Sequence, residues 1–149
     1  ETGDGDVFWE GELRLRQIFD SFAGDDNSEY ILRHADFDSI CKTRRENYAA
    51  LLDALTAPLH GVQVVFPELP EATVPSHFCL YAENRERFQQ YLTDHQIRST
   101  VYWPVGPLVH PLPDSSEQYI YDHIVSVPCD QRFTPSDMQY VAQVLMDYS

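Results

Sequence analysis

Apolar residues fall along this chain in two patterns, stripes at helical spacing and short β-rich runs, and their succession orders the predicted elements. Trp9, Leu13, Ile18, Phe19 and Phe22 are spaced for one amphipathic helix ending near Gly24, after an acidic, glycine-bearing opening that frays. Residues 24–28 read as a loop. Beyond Asp36 the pattern strengthens: Phe37, Ile40, Cys41, Tyr48, Leu51, Leu52 and Leu55 form one stripe of a long helix, with Asp38, Lys42, Arg45 and Asp53 outside it. Pro58 and Gly61 close that helix.

Short apolar runs then take over. Residues 62–66 and 77–82 are β-rich runs separated by a proline-punctuated connection. Asn84 is placed to cap a helix whose apolar face is Phe88, Tyr91 and Leu92, and residues 97–103 read as a third strand. Four prolines make residues 104–113 a semi-rigid loop, residues 115–121 suit one or two helical turns, and residues 124–127 suit a fourth short strand. Thr134-Pro135-Ser136-Asp137 resembles a capping box that starts a last helix with Met138, Val141, Ala142 and Leu145 buried. Helices interleaved with short strands predict an α/β (α+β) sandwich, in which a small, largely antiparallel sheet of three to four strands is packed with helices.

A chain of 149 residues with 43% hydrophobic content supports one domain with a real core. No apolar run approaches the roughly 20 residues of a membrane span, and no basic-then-apolar leader opens the residues, so the expected compartment is the cytoplasm. Against 24 acidic residues there are 10 Lys and Arg, and the net charge of −14 repels a phosphate backbone, which argues against nucleic acid as a partner. Cys41, Cys79 and Cys129 are widely spaced among apolar neighbours, without a Cys-x-x-Cys, and read as buried free thiols.

Candidate chemistry is sparse. The six histidines, His34, His60, His77, His95, His110 and His123, show no helical ligand pairing, and no nucleophile elbow, Walker-type loop or dinucleotide fingerprint occurs. No metal is implied. The chain has one lysine, Lys42, set among polar residues of the long helix beside Arg44 and Arg45, where it reads as a solvated charge. Schiff-base chemistry needs a lysine of depressed pKa in a closed pocket, so such a reaction would have to borrow one.

Four ordered segments carry a resemblance. They are Ile31-Leu32 with Asp36, Ile40 and Arg44-Arg45-Glu46-Asn47-Tyr48; Val74-Pro75 running into residues 77–82 and Asn84-Arg85; Tyr91-Leu92 with His95-Gln96-Ile97 and Tyr102-Trp103-Pro104; and Val127-Pro128-Cys129-Asp130-Gln131-Arg132-Phe133 with Thr134 and Asp137-Met138. In this order they resemble the C-terminal small domain of the DegT/DnrJ family of PLP-dependent sugar aminotransferases, over roughly residues 28–149. Gln96 departs from the family's usual Gly-Ile turn, and nothing here is similar to the large domain that bears the cofactor lysine. The resemblance implies a long interdomain helix ahead of the sheet. It divides the chain into residues 1–26, from the large-domain side, and 27–149, the small domain.

It further implies that the partners are the large domain, a second subunit in a homodimer, and a nucleotide-linked keto-sugar as substrate. The cofactor is pyridoxal phosphate in the complete enzyme, with none expected on this chain alone. Tyr102, Trp103, His110 and Arg132 are the candidate substrate contacts, and Asn27 and Ser28 the candidate contacts to the cofactor phosphate across the dimer. Read without the resemblance, Tyr102 and Trp103 are equally core aromatics, Arg44-Arg45 equally solubilise a helix, and Asp130-Gln131-Arg132 equally form a turn. The alternative function is a non-catalytic protein-interaction domain using the apolar helix of Trp9, Ile18 and Phe19.

Overall fold

The structure, a computed structural model, describes residues 4–21, 23–102 and 112–149, with side chains from Trp9 onward. Contacts divide the chain into two compact units, Glu1–Asp36 and Phe37–Ser149. The first unit holds helix α1 (Asp4–Ile18), a 3-10 turn (Phe19–Ser21) and helix α2 (Asp26–His34). α2 begins inside the expected loop. The Asp25 carboxylate caps it, accepting the Ser28 N–H at 3.0 Å and the Ser28 hydroxyl at 2.6 Å, and Glu29 receives Arg33 Nε one turn later at 2.9 Å. Tyr30, Ile31 and Leu32 follow one another and are all exposed, a single apolar cluster on one side of a nine-residue helix, too short to repeat over the several turns from which a sequence pattern is read.

In the second unit the sheet has the order β1-β2-β3, with β1 at Val62–Val64, β2 at His77–Ala82 and β3 at Ile124–Pro128. Both pairings are antiparallel: Val62 lies opposite Ala82, and His77 opposite Pro128. Along β2, Phe78, Leu80 and Ala82 alternate into the core and are fully buried, the period-two signature of a strand with one covered face. Around the sheet lie α3 (Phe37–Ala54), α4 (Arg85–Asp94), α5 (Ser116–His123) and α6 (Pro135–Asp147). α6 contributes Met138, Val141, Ala142, Val144 and Leu145 to the core, while α3 contributes Tyr48 and Leu51. Each such side chain removed from water contributes about 1.5–3 kcal/mol.

The caps follow the sequence closely. Asn84 accepts the Arg87 N–H at 3.1 Å, Ser115 caps α5, and Thr134 and Asp137 form the full reciprocal box. The α3 stripe is shorter than expected: Phe37 is 52% exposed, Ile40 and Cys41 are half-buried, and full burial begins only at Asn47. Cys129 is buried and Cys79 half-buried, and all three thiols are free.

The expected third strand over residues 97–103 is not formed among the described residues. It contributes one isolated bridge, in which Thr100 and Ser126 exchange both backbone hydrogen bonds at 2.9 Å. The reason lies upstream, where α4 winds down through Gln96 at φ +59° and the Ile97 N–H is still donated to Leu92 O at 2.8 Å. Ile97 therefore belongs to the helix end and fills the core, leaving too few residues for a ladder. A left-handed glutamine carries a steric cost that glycine lacks. Gln96→Gly is expected to raise stability by about 0.5–1 kcal/mol, seen as a higher urea midpoint at unchanged slope.

Candidate functional site

The chemistry of the second unit gathers where β3 ends. Residues 129–133 turn sharply before α6, and their backbone carbonyls point at α3. There Asn47, fully buried, donates its amide N–H groups to Asp130 O and Phe133 O, both at 2.9 Å, with Cys129 O at 3.4 Å. From the same helix, Arg44 Nε donates to the Gln131 side chain at 2.7 Å. The turn is also closed from within: the Asp130 carboxylate accepts the Arg132 backbone N–H at 3.0 Å and the guanidinium Nε and Nη2 at 2.8 and 2.6 Å. This bidentate bond from Arg132, more than any other contact, holds the Asp130 carboxyl at about 2. Arg45 does not merely solvate the helix, since its Nη1 reaches Pro70 O at 2.9 Å and Thr73 O, while Tyr48 donates to Phe66 O at 2.6 Å.

Beside the turn opens a cleft of about 400 Å³ lined by His77, Arg98, Thr100, Tyr102, Arg132 and Phe133, together with Pro128. The Tyr102 hydroxyl lies 2.8 Å from His77 Nε2, and His77 Nδ1 lies 2.9 Å from Ser76 Oγ. The two rings meet edge to face at 4.8 Å. Partial burial lowers the His77 pKa, against the nearby Asp130 that raises it, and so favours the neutral ring. His77 also borders an apolar pocket of about 320 Å³ walled by Tyr48, Phe66, Leu69, Pro75 and Cys79. The Cys129 thiol is pushed up to about 12, chiefly by burial, which keeps it protonated and unreactive.

Of the residues expected to contact substrate, Tyr102 and Arg132 come together in this cleft, whereas Trp103 and His110 lie outside the described residues. Tyr102 is half exposed and follows a single bridge rather than ending a strand, so it is no core aromatic. Arg132 does hold a carboxylate with its fork, but one of its own chain. Asn27 and Ser28 sit in the first turn of α2, in the other unit, where Ser28 serves the Asp25 cap. Four contributors were given no site role by the sequence reading: Asn47 stood only within the resembling stretch 44–48, His77 only among histidines without helical pairing, and Ser76 and Arg98 were not singled out. The signal for Asn47 was a carboxamide seven residues after Ile40 and four before Leu51 on the stripe that the helix buries.

No cluster of His, Cys, Asp and Glu suited to a metal occurs among the described residues, and no helix among them is long and apolar enough to cross a membrane. The residues do not fit a Schiff-base cofactor. Lys42, the only lysine, has a side chain 75% exposed and lies 3.7 Å from Glu46, in no closed pocket.

No family model and no curated protein matches the sequence. Solved structures do match. The sugar aminotransferase CalS13 from Micromonospora echinospora superposes with a TM-score of 0.62 at 21% identity, over 76% of this chain and 32% of its own. The fold is that of part of a sugar aminotransferase. DesV from S. venezuelae gives a TM-score of 0.64 at 20% identity over 78% of this chain and 33% of its own. AtS13 from Actinomadura melliaura gives 0.63 at 19% over 76% and 32%. The chain thus spans about a third of the length of these structures, and at such identities the aminotransferase likeness is one of fold.

Two measurements test the geometry of the turn. Asn47→Ala strips two carbonyls of buried donors and is expected to cost about 3 kcal/mol in urea unfolding. Asp130 has a folded pKa below its ordinary 3.8, so its contribution is complete well above that value and is lost as pH falls toward about 2. Between pH of about 5 and 2 the chain should lose roughly 1–2 kcal/mol that Asp130→Asn does not lose.

Proposed function

We propose that this chain is the C-terminal portion of a PLP-dependent aminotransferase acting on a nucleotide-linked keto-sugar, to which it contributes substrate-closing and dimer contacts but not the cofactor lysine. The observation that carries the reading is the shared fold with a third of CalS13 and DesV, joined to a cleft to which three of the four resembling segments contribute, through His77, Tyr102 and residues 128–133. Tyr102 and Arg132 present a phenol and a guanidinium to that cleft, groups that bind sugar hydroxyls and anionic substituents. Pyridoxal phosphate, when bound to the complete enzyme, supplies the electron sink for moving the amino group. The lysine that anchors it lies outside these residues, and this chain shapes and closes the substrate side. In that assembly the large domain and a second subunit are the partners, and residues 27–149 are the small domain.

A second reading, a non-catalytic interaction domain, is favoured by α1. Trp9 and Leu13 there, and Phe19 in the 3-10 turn that follows, are each more than half exposed.

Two experiments separate these readings. The intact gene product is assayed for amino transfer from an amino acid to a nucleotide-linked keto-sugar, and the 149-residue chain is incubated with cofactor and treated with borohydride. Transfer by the first and no fixed cofactor on Lys42 of the second are expected. Cofactor fixed stoichiometrically to Lys42 overturns the proposal, as does a gene product that assembles with another protein and transfers nothing.

A further inference from the structure

A second pocket of the sheet unit shares only His77 with the cleft beside β3 and has the opposite chemistry. Its volume of about 320 Å³ falls within the roughly 300–1,000 Å³ of small-molecule sites. The walls come from α3, from the connection between β1 and β2, and from β2 itself, where Tyr48, Phe66, Leu69, Pro70, Pro75 and Cys79 make them chiefly apolar.

Most polar groups of these walls are already committed. The Tyr48 hydroxyl donates to Phe66 O at 2.6 Å, and Arg45 donates to Pro70 O at 2.9 Å and to Thr73 O, so α3 fixes the connection that forms one wall. Both ring nitrogens of His77 have neighbours, Ser76 Oγ at 2.9 Å and the Tyr102 hydroxyl at 2.8 Å, and the Cys79 thiol lies 3.7 Å from Ser126 Oγ. An incoming molecule therefore meets chiefly rings, proline faces and one charge. That charge is Glu68, which is exposed, enters no ion pair among the described residues and is joined in the lining by no lysine or arginine.

An aromatic ring suits such walls, because pairs of rings gain attraction beyond the area they bury. A cationic end suits Glu68, and a cation also gains from the negative faces of nearby rings. An anion is repelled by that carboxylate and by a chain of net charge −14. We propose that this pocket binds an arylalkylamine, with its ring against Tyr48, Phe66 and Pro75 and its ammonium paired with Glu68. The proposal stands apart from the aminotransferase reading, since it invokes neither cofactor nor sugar.

The purified chain is titrated with phenethylamine, with phenethyl alcohol of the same shape and with hydrocinnamate, and followed by two-dimensional NMR. Saturable shifts at Tyr48, Phe66, Leu69 and Cys79 are expected for the amine, with a Kd on the order of 1 mM, about threefold weaker binding of the alcohol and weaker binding still of the acid. Glu68→Gln should bring the amine down to the alcohol and leave the alcohol unchanged, which a purely apolar pocket does not predict. Phe66→Ala, at a residue 57% exposed, and Cys79→Phe, which fills the space, should each weaken both ligands by about tenfold. Dispersed spectra report that each variant is folded. Absence of saturation, the alcohol bound as tightly as the amine, a preference for the amine that survives Glu68→Gln, or unchanged affinity in both wall variants overturns the proposal. Each of these readings is independent of amino transfer, so it fails or succeeds apart from the assay of function.

Discussion

The arrangement of the second unit depends on a buried carboxamide. Asn47 has its amide in the concave side of the 129–133 turn and its Oδ1 without a hydrogen-bond partner among the described residues, an arrangement whose cost is met by satisfying two turn carbonyls that would otherwise face the core. Because that turn carries Asp130 and Arg132 and leads into the capping box of α6, one side chain fixes the register of a helix, a strand end and a charged pair. An aliphatic residue there would pack, but it would leave the turn without donors.

Much of this was legible in the residues themselves. β2 announced itself as a short apolar run, and α4 and α6 by caps whose donors and acceptors sit at fixed spacings, since local hydrogen bonds require only neighbours. What could not be read was set by distance along the chain. Thr100 pairs with Ser126, His77 with Tyr102, and Arg44 with Gln131, and none of these pairs has a periodic signature. α2 was missed for a different reason: its cap and one Glu29-Arg33 pair define it, while its apolar residues make one cluster that does not recur along the nine residues.

The acidic composition argues against a nucleic-acid partner, but it conceals a local inversion of sign. Several of the nine arginines are consumed in structure, bonding carbonyls and side chains of segments far away in sequence, as Arg85 does with Tyr121 O and Arg87 with Ser149 O. Net charge describes the far field, whereas a ligand at contact distance meets the few groups lining its cleft. A fold shared with aminotransferases and a single exposed lysine are compatible on the same grounds, because a shared fold does not carry a site with it.

In α3, four residues within a stretch of five reach two distant segments: Arg44 and Asn47 bond the 129–133 turn, at Gln131 and at Asp130 and Phe133, while Arg45 bonds Pro70 and Thr73 and Tyr48 bonds Phe66. Such crowding makes the helix sensitive to phase. Lengthening it ahead of Arg44 would slide the whole set together, but one extra residue between Arg45 and Asn47 would rotate the second pair by about 100° relative to the first. Evolution of this lobe can therefore vary the helix at its N-terminal end far more freely than in that central turn.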